Sequence, residues 1–197
     1  MRKVIIAVIN GVPQSGKTAI QDKMKYLASE DCINAEVRIL SSVKVPYKIM
    51  GILGWNGVKD DQFRADMVAL KQMYIRYSNG PTQDIIREAL NTTCNDDGYP
   101  CIICTDVREA EEIQKLVDLS KPLNIIGIEC KTVYIQRDAV DGVQHGNSHD
   151  DGVSDTRNII DYDIIINNNG DINSIVKVAM SLANQLLGIK EDEENVG

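Results

Sequence analysis

An unbroken apolar run at residues 4–9 leads straight into Gly11-Val12-Pro13-Gln14-Ser15-Gly16-Lys17-Thr18, and an amphipathic helical pattern follows over residues 17–29. The octapeptide fills every fixed position of G-x-x-x-x-G-K-[ST]. Between an apolar run and a helical pattern it demands one local structure: a buried strand, a glycine-rich turn and a helix whose N-terminus faces an anion. Gly11 and Gly16 allow backbone conformations in which successive N–H groups turn inward around phosphate oxygens. Lys17 adds a mobile point charge there, and Thr18 can offer its hydroxyl to Mg²⁺ beside the positive end of the helix dipole. The alternative, a plain glycine-rich turn before a surface helix, is outweighed because both flanking elements are present. A nucleoside triphosphate with Mg²⁺ is the expected ligand.

At 197 residues and 43% hydrophobic, the chain can bury one substantial core, organised as a single domain with an inserted subdomain. A formal net charge of −8 argues against binding a nucleic-acid backbone, which calls for a basic stripe. Free nucleotides remain suitable because a local basic pocket can hold them. Cys32, Cys94, Cys101, Cys104 and Cys130 form an odd set without a secretory leader, which fits a reducing compartment. Cys101 and Cys104 have C-x-x-C spacing, but they fall inside one strand pattern without a second pair or a nearby His, so small-hydrophobe packing outweighs a metal or redox role. No apolar stretch reaches membrane-spanning length, and a cytoplasmic location without membrane partners is expected. A homodimer is compatible with the sequence.

Short β-branched strands are expected at residues 3–9, 36–40, 101–105, 132–136 and 163–167, alternating with helices at 17–29, 60–77, 82–91, 109–119 and 171–187. Such alternation predicts an α/β fold whose parallel sheet is covered on both faces. Residues 41–97 are far longer than one crossover requires and read as a helical insertion over the carboxyl ends of the strands, the side where open α/β sheets bind ligands. The polar, glycine-containing stretch 137–157 reads as a lid loop. Residues 190–197 read as an acidic tail. His145 and His149 lack two further firm ligands and read as solvent-exposed loop residues.

The strand at 101–105 delivers Asp106 at its carboxyl end, with Arg108 two residues on. A carboxylate there can hold Mg²⁺ and the arginine can face phosphates, a reading preferred over Asp106 as a plain helix cap. Together with Gly11–Thr18, four further segments resemble, in order, the phage-type deoxynucleoside monophosphate kinases. These are Gly54-Trp55-Asn56-Gly57-Val58-Lys59-Asp60-Asp61 with Arg64, Thr105-Asp106-Val107-Arg108, Ile135-Gln136-Arg137, and Tyr162-Asp163-Ile164-Ile165-Ile166-Asn167-Asn168 before Gly170. Dephospho-coenzyme A kinase and phosphomevalonate kinase are related families.

The resemblance implies a three-layer P-loop NTPase fold with a five-stranded parallel sheet in the order 2-3-1-4-5, a helical acceptor-binding insertion and a lid. It implies that Trp55, Lys59, Asp60 and Arg64 meet the monophosphate acceptor, that Arg108 binds the acceptor phosphate, and that Arg137, opening the lid, reaches the transferring phosphoryl group. Arg157 is a further substrate contact. Asn168 and Gly170 match the segment near the donor base, although a plain strand-to-helix turn explains them equally well. Trp55 either stacks on a base or anchors the insertion. On this reading Lys17, Asp106, Arg108 and Arg137 are catalytic, Gly11, Val12, Pro13, Gln14, Ser15, Gly16, Lys17, Thr18, Asn168 and Gly170 bind ATP, and Thr18 and Asp106 hold Mg²⁺. The expected reaction is ATP-dependent phosphoryl transfer to a (deoxy)nucleoside 5′-monophosphate. The same fold also serves other phosphorylated acceptors, and a non-catalytic nucleotide-binding module is the rival from a different class, prompted by Asp138, Asp141, Asp150, Asp151 and Asp155 in the lid.

Overall fold

The computed structural model describes residues 1–94, 98–138 and 159–189. Strand β1, Val4–Asn10, is buried at every position. A strand covered on both faces has no solvent side to mark with polar residues, which explains its continuous apolar run. It lies at the centre of a five-stranded sheet ordered β2-β3-β1-β4-β5, where β2 is Glu36–Leu40, β3 Cys101–Thr105, β4 Ile128–Gln136 and β5 Ile164–Asn167. All pairings are parallel.

The period of two along β1 divides the core. Ile5, Ala7 and Ile9 pack with Ile20, Met24 and Leu27 of helix α1, Lys17–Ser29, and with Ala179, Leu182, Ala183 and Leu186 of the C-terminal helix. Val4, Ile6 and Val8 face Ile85, Ile86, Ala89, Ile113 and Leu116 on the opposite helical layer. Three layers result, with the sheet in the middle. Cys104 belongs to the first cluster and Cys101 to the second, so the C-x-x-C thiols sit on opposite faces of β3. Burial pushes their thiols up to about 12 and about 11 respectively.

Between β2 and β3 come α2, Lys44–Ile52, α3, Asp61–Ser78, and α4, Thr82–Thr93. Helix α2 has no counterpart in the sequence reading. Pro46 falls in its first turn, where a missing N–H costs nothing, so the proline that looks like a breaker is a starter. The helix expected at 60–77 begins one residue later, because the Asp60 carboxylate caps it by accepting from the Phe63 N–H at 2.8 Å. Helix α4 places Ile85, Ile86 and Ala89 in the layer on the sheet. Only α2 and α3 therefore build a unit of their own, around Met50, Phe63 and Met67.

Downstream, α5 is Ala110–Ser120, and a 3-10 helix, Lys121–Ile126, ends at Gly127 with φ +82°. Strand β4 begins four residues before the expected 132. Glu129 and Lys131 hide the pattern, yet they pair with Ile5 and Ala7, and Ile128 is fully buried. The last helix, expected from 171, starts with a 3-10 turn, Ile172–Ser174, before α6, Ile175–Leu187. Asp171 makes the break by accepting from the N–H groups of Asn173 and Ser174. Most of the lid stretch, including Arg157, His145 and His149, and the 190–197 tail lie outside the described residues. Among the described residues no helix is long and apolar enough to cross a membrane.

Candidate active site

The turn from β1 into α1 is built around positive-φ positions: Gly11 at +144°, Gln14 at +64° and Gly16 at +94°. A side chain on Gly11 would put its Cβ 2.5 Å from the Ile135 carbonyl oxygen, and one on Gly16 would collide with Asn168 Nδ2. Both glycines are thus required twice, by dihedral and by space. The fully buried Asn10 side chain accepts from the Gly11 N–H at 2.8 Å and fixes the point where the strand becomes a loop. Lys17 Nζ is held over the loop by donating to the carbonyl oxygens of Gly11, at 2.6 Å, and Val12, at 2.8 Å. Thr18 is exposed in the first turn of α1, where the leading N–H groups have no partner within the helix and carry positive partial charge.

Register brings the next carboxylate close. Thr105 faces Val8 in the adjacent strand, so Asp106 lies level with Ile9 at the base of the loop. Its Oδ1 accepts from the Ser42 N–H at 2.6 Å and its Oδ2 from Ser41 Oγ at 3.3 Å. The alternative that Asp106 caps the following helix does not hold: α5 starts at Ala110, with Glu109 at its cap position. Ser41 and Ser42 went unnoticed in the sequence. Once β2 is placed beside β3, the residues following Leu40 must meet those following Thr105, and the strand order was the signal that could have found them.

Arg108 is half-buried between Val107, fully buried, and Glu109. Lys71 of α3, only 9% exposed, pairs with Glu109 at 2.7 Å. This ion pair fastens the α2–α3 unit to the segment carrying Asp106 and Arg108, and it too was missed. Arg64 precedes Lys71 by two helical turns, which puts it on the same face of α3, roughly 10 Å along the axis. Its guanidinium makes an exposed ion pair with Asp61 at 3.3 Å.

The remaining insertion residues hold one another. The Trp55 ring stacks on Phe63 at 4.4 Å, and its indole N–H donates to the Val58 carbonyl at 2.7 Å. Lys59 Nζ lies 5.5 Å from the centroid of the Tyr47 ring. A cavity of about 600 Å³ opens beside them, with Trp55, Asn56, Asp60, Phe63 and Asp66 in its wall.

On the other flank of β1, Arg137 follows β4 and donates to the Gln14 carbonyl at 3.4 Å. Asn168, 5% exposed, donates through Nδ2 to the Ser15 carbonyl at 2.8 Å, while its own N–H reaches the Gln136 carbonyl at 2.8 Å. Gly170 packs against Ser174 at the entry to α6. The structure therefore gathers the phosphate loop, Asp106, Arg137 and Asn168 at the carboxyl edge of the central strands, and links Arg108 to the α2–α3 unit through Glu109. Direct contacts among the described residues do not link Trp55, Lys59, Asp60 or Arg64 to that loop.

As to metal, Thr18 and Asp106 supply hydroxyl and carboxylate oxygens, the hard donors that Mg²⁺ takes. The two hydrogen bonds from Ser41 and Ser42 fix the Asp106 carboxylate at the loop's base, and this donor set fits a Mg²⁺ site.

The chain shares its three-layer fold with solved kinase structures. An APS kinase from Mycobacterium tuberculosis, in complex with AMPPNP and APS, superposes with a TM-score of 0.54 at 14% identity, over 95% of this chain and 99% of that one. A cysteine-to-alanine mutant of that enzyme gives 0.50 at 12% identity over the same shares. A thymidylate kinase from Ehrlichia chaffeensis gives 0.46 at 16% identity, over 93% of this chain and 99% of that one. At such identities the likeness to the APS kinase is one of fold. No family model and no curated protein sequence matches the chain.

Proposed function

We propose that the chain is an ATP-dependent phosphotransferase whose acceptor is a small monophosphate, a (deoxy)nucleoside 5′-monophosphate in particular. The carrying observation is the complete phosphate loop with positively charged side chains on both flanks: Lys17 over the loop, Arg108 on the β3 side and Arg137 on the β4 side. The acceptor assignment rests on the resemblance of residues 54–64 to the phage-type deoxynucleoside monophosphate kinases.

Phosphoryl transfer asks for positioning and charge stabilisation more than covalent chemistry. The loop N–H groups and the α1 dipole cradle the β- and γ-phosphates, and Lys17 exchanges its carbonyl partners for phosphate oxygens. Thr18 and Asp106 would hold Mg²⁺, which when bound neutralises charge between those phosphates. Arg108 and Arg64 orient the acceptor phosphate from the side tied down by Lys71 and Glu109. Arg137 stabilises charge on the transferring group. A general base is unnecessary, since the acceptor phosphate is itself an anionic nucleophile. Asn168 supports the loop from below, with Gly170 shaping the turn beyond it.

Incubation with ATP, Mg²⁺ and a panel of deoxynucleoside monophosphates, dephospho-coenzyme A, phosphomevalonate and adenylyl sulfate, with product separation, tests the reading. ADP and a nucleoside diphosphate are the expected products. A different phosphorylated acceptor would keep the chemistry and move the substrate, whereas tight ATP binding without any product would establish a nucleotide-binding module.

A further inference from the structure

Two consecutive asparagines after β5 join the phosphate loop to the segment that carries Arg137. Asn168 holds the loop at Ser15 and holds β4 at Gln136. Asn169 makes a reciprocal pair with Asp138: its Oδ1 accepts from the Asp138 N–H at 2.8 Å and its Nδ2 donates to Asp138 Oδ2 at 2.7 Å. The other carboxylate oxygen, Oδ1, accepts from Gln136 Nε2 at 3.2 Å. Both oxygens of Asp138 and its N–H are therefore engaged by amide groups, one residue after an arginine that itself donates to Gln14 in the loop.

Resting on the phosphotransferase reading, we propose that Asn169 is a positioning residue for Arg137. Peptide planes 137 and 138 are adjacent, so clamping Asp138 at its N–H and its carboxylate leaves the backbone at Arg137 few alternatives. Asn168 anchors the same turn to the phosphate loop, so the guanidinium and the loop are held by one rigid piece of chain. The bracket also answers an electrostatic difficulty. An aspartate next to Arg137 competes with phosphate for the guanidinium, and three amide hydrogen bonds occupy that aspartate with neutral donors and an acceptor instead.

Such a role makes a distinct prediction, because an exposed bracket contributes little to global stability while a misplaced charge is costly in the transition state. Asn169→Ala should lower kcat about 10–100-fold, the scale of a side chain displaced by roughly 1 Å. The KM for ATP should stay within about twofold and the melting temperature should be nearly unchanged. Asn169→Ala in the Arg137→Ala background should add little further loss, since a residue that acts only by positioning Arg137 has nothing left to position. Asn169→Asp should be at least as damaging, since it sets two carboxylates against each other, and Asp138→Asn combined with it should restore turnover by reversing donor and acceptor. Amide exchange at Asp138 should accelerate in Asn169→Ala. A wild-type enzyme that turns over normally beside an equally active Asn169→Ala variant, or losses that multiply with those of Arg137→Ala, would overturn the proposal alone. A wild-type protein that forms no product with any acceptor would remove the phosphotransferase reading and this proposal with it.

Discussion

Lys17 has to serve two partners in turn: the carbonyl oxygens of Gly11 and Val12 hold its ammonium over the loop, and phosphate oxygens must draw it away. Its place above the loop keeps Lys17 apart from the packed core, so Lys17→Ala should leave the fold intact and reduce turnover about 10³-fold, the loss associated with removing a preorganised charge from a developing anion. Circular dichroism and steady-state rates check both halves, and near-normal turnover would sink the loop assignment. Gly16 is less forgiving. Alanine there must adopt φ near +94° and push Asn168 aside, so Gly16→Ala should lose about 1–3 kcal/mol in urea unfolding along with ATP binding. The two buried thiols and the half-buried Cys130 give a pH signature. Cys101, Cys104 and Cys130 are raised by burial from 9.0 to about 11, about 12 and about 12, so the folded chain keeps protons that the unfolded chain releases. Their stabilisation is complete below pH 9 and declines as pH rises through those folded values. Urea midpoints should accordingly drop on the alkaline side of about pH 9, and Cys104→Val should soften the drop; an identical drop in that variant would detach it from this thiol.

Among the elements, α3 carries the most information that a linear reading could not recover. Its apolar stripe and its Asp60 start are visible from periodicity and capping rules. Lys71, however, lies in that stripe between Met67 and Tyr74 with nothing in the spacing to mark it as buried, because its partner Glu109 comes from a distant element and only the tertiary fold joins them. Lys71→Met should strand the Glu109 carboxylate and loosen the α2–α3 unit, at about 1–3 kcal/mol for a partly buried pair. It should also raise the acceptor KM more than the ATP KM. Equal effects on both constants would make the pair a general brace with no special bearing on the acceptor side. Asp60 permits a cleaner separation. Asp60→Asn preserves the cap, so an unchanged acceptor KM would confine Asp60 to capping, and a marked rise would return it to the substrate. The turn at Asn167–Gly170 was legible as a turn and, through the resemblance, as a donor-site segment; that the Asn168 side chain reaches the Ser15 carbonyl is set by tertiary packing, which residue spacing does not reveal.

Across the whole molecule, the sheet and its central phosphate loop could be read from apolar runs because β1, β3 and the end of β4 are covered on both faces. The start of β4 could not, since Glu129 and Lys131 interrupt the pattern at half-buried positions. The same arrangement bears on how the chain is made. Val4–Asn10 is synthesised well before its partners: Val4 bonds to neither flanking strand until Cys101 and Ile128 exist, about a hundred residues or more later. During that interval the strand that carries the phosphate loop is a segment apolar from Val4 to Ile9 with both edges open, the kind of surface that invites misassociation. The molecule's most constrained element is therefore the one whose birth most depends on something else covering it, and truncated chains that stop before β4 should be the ones that chaperones retain.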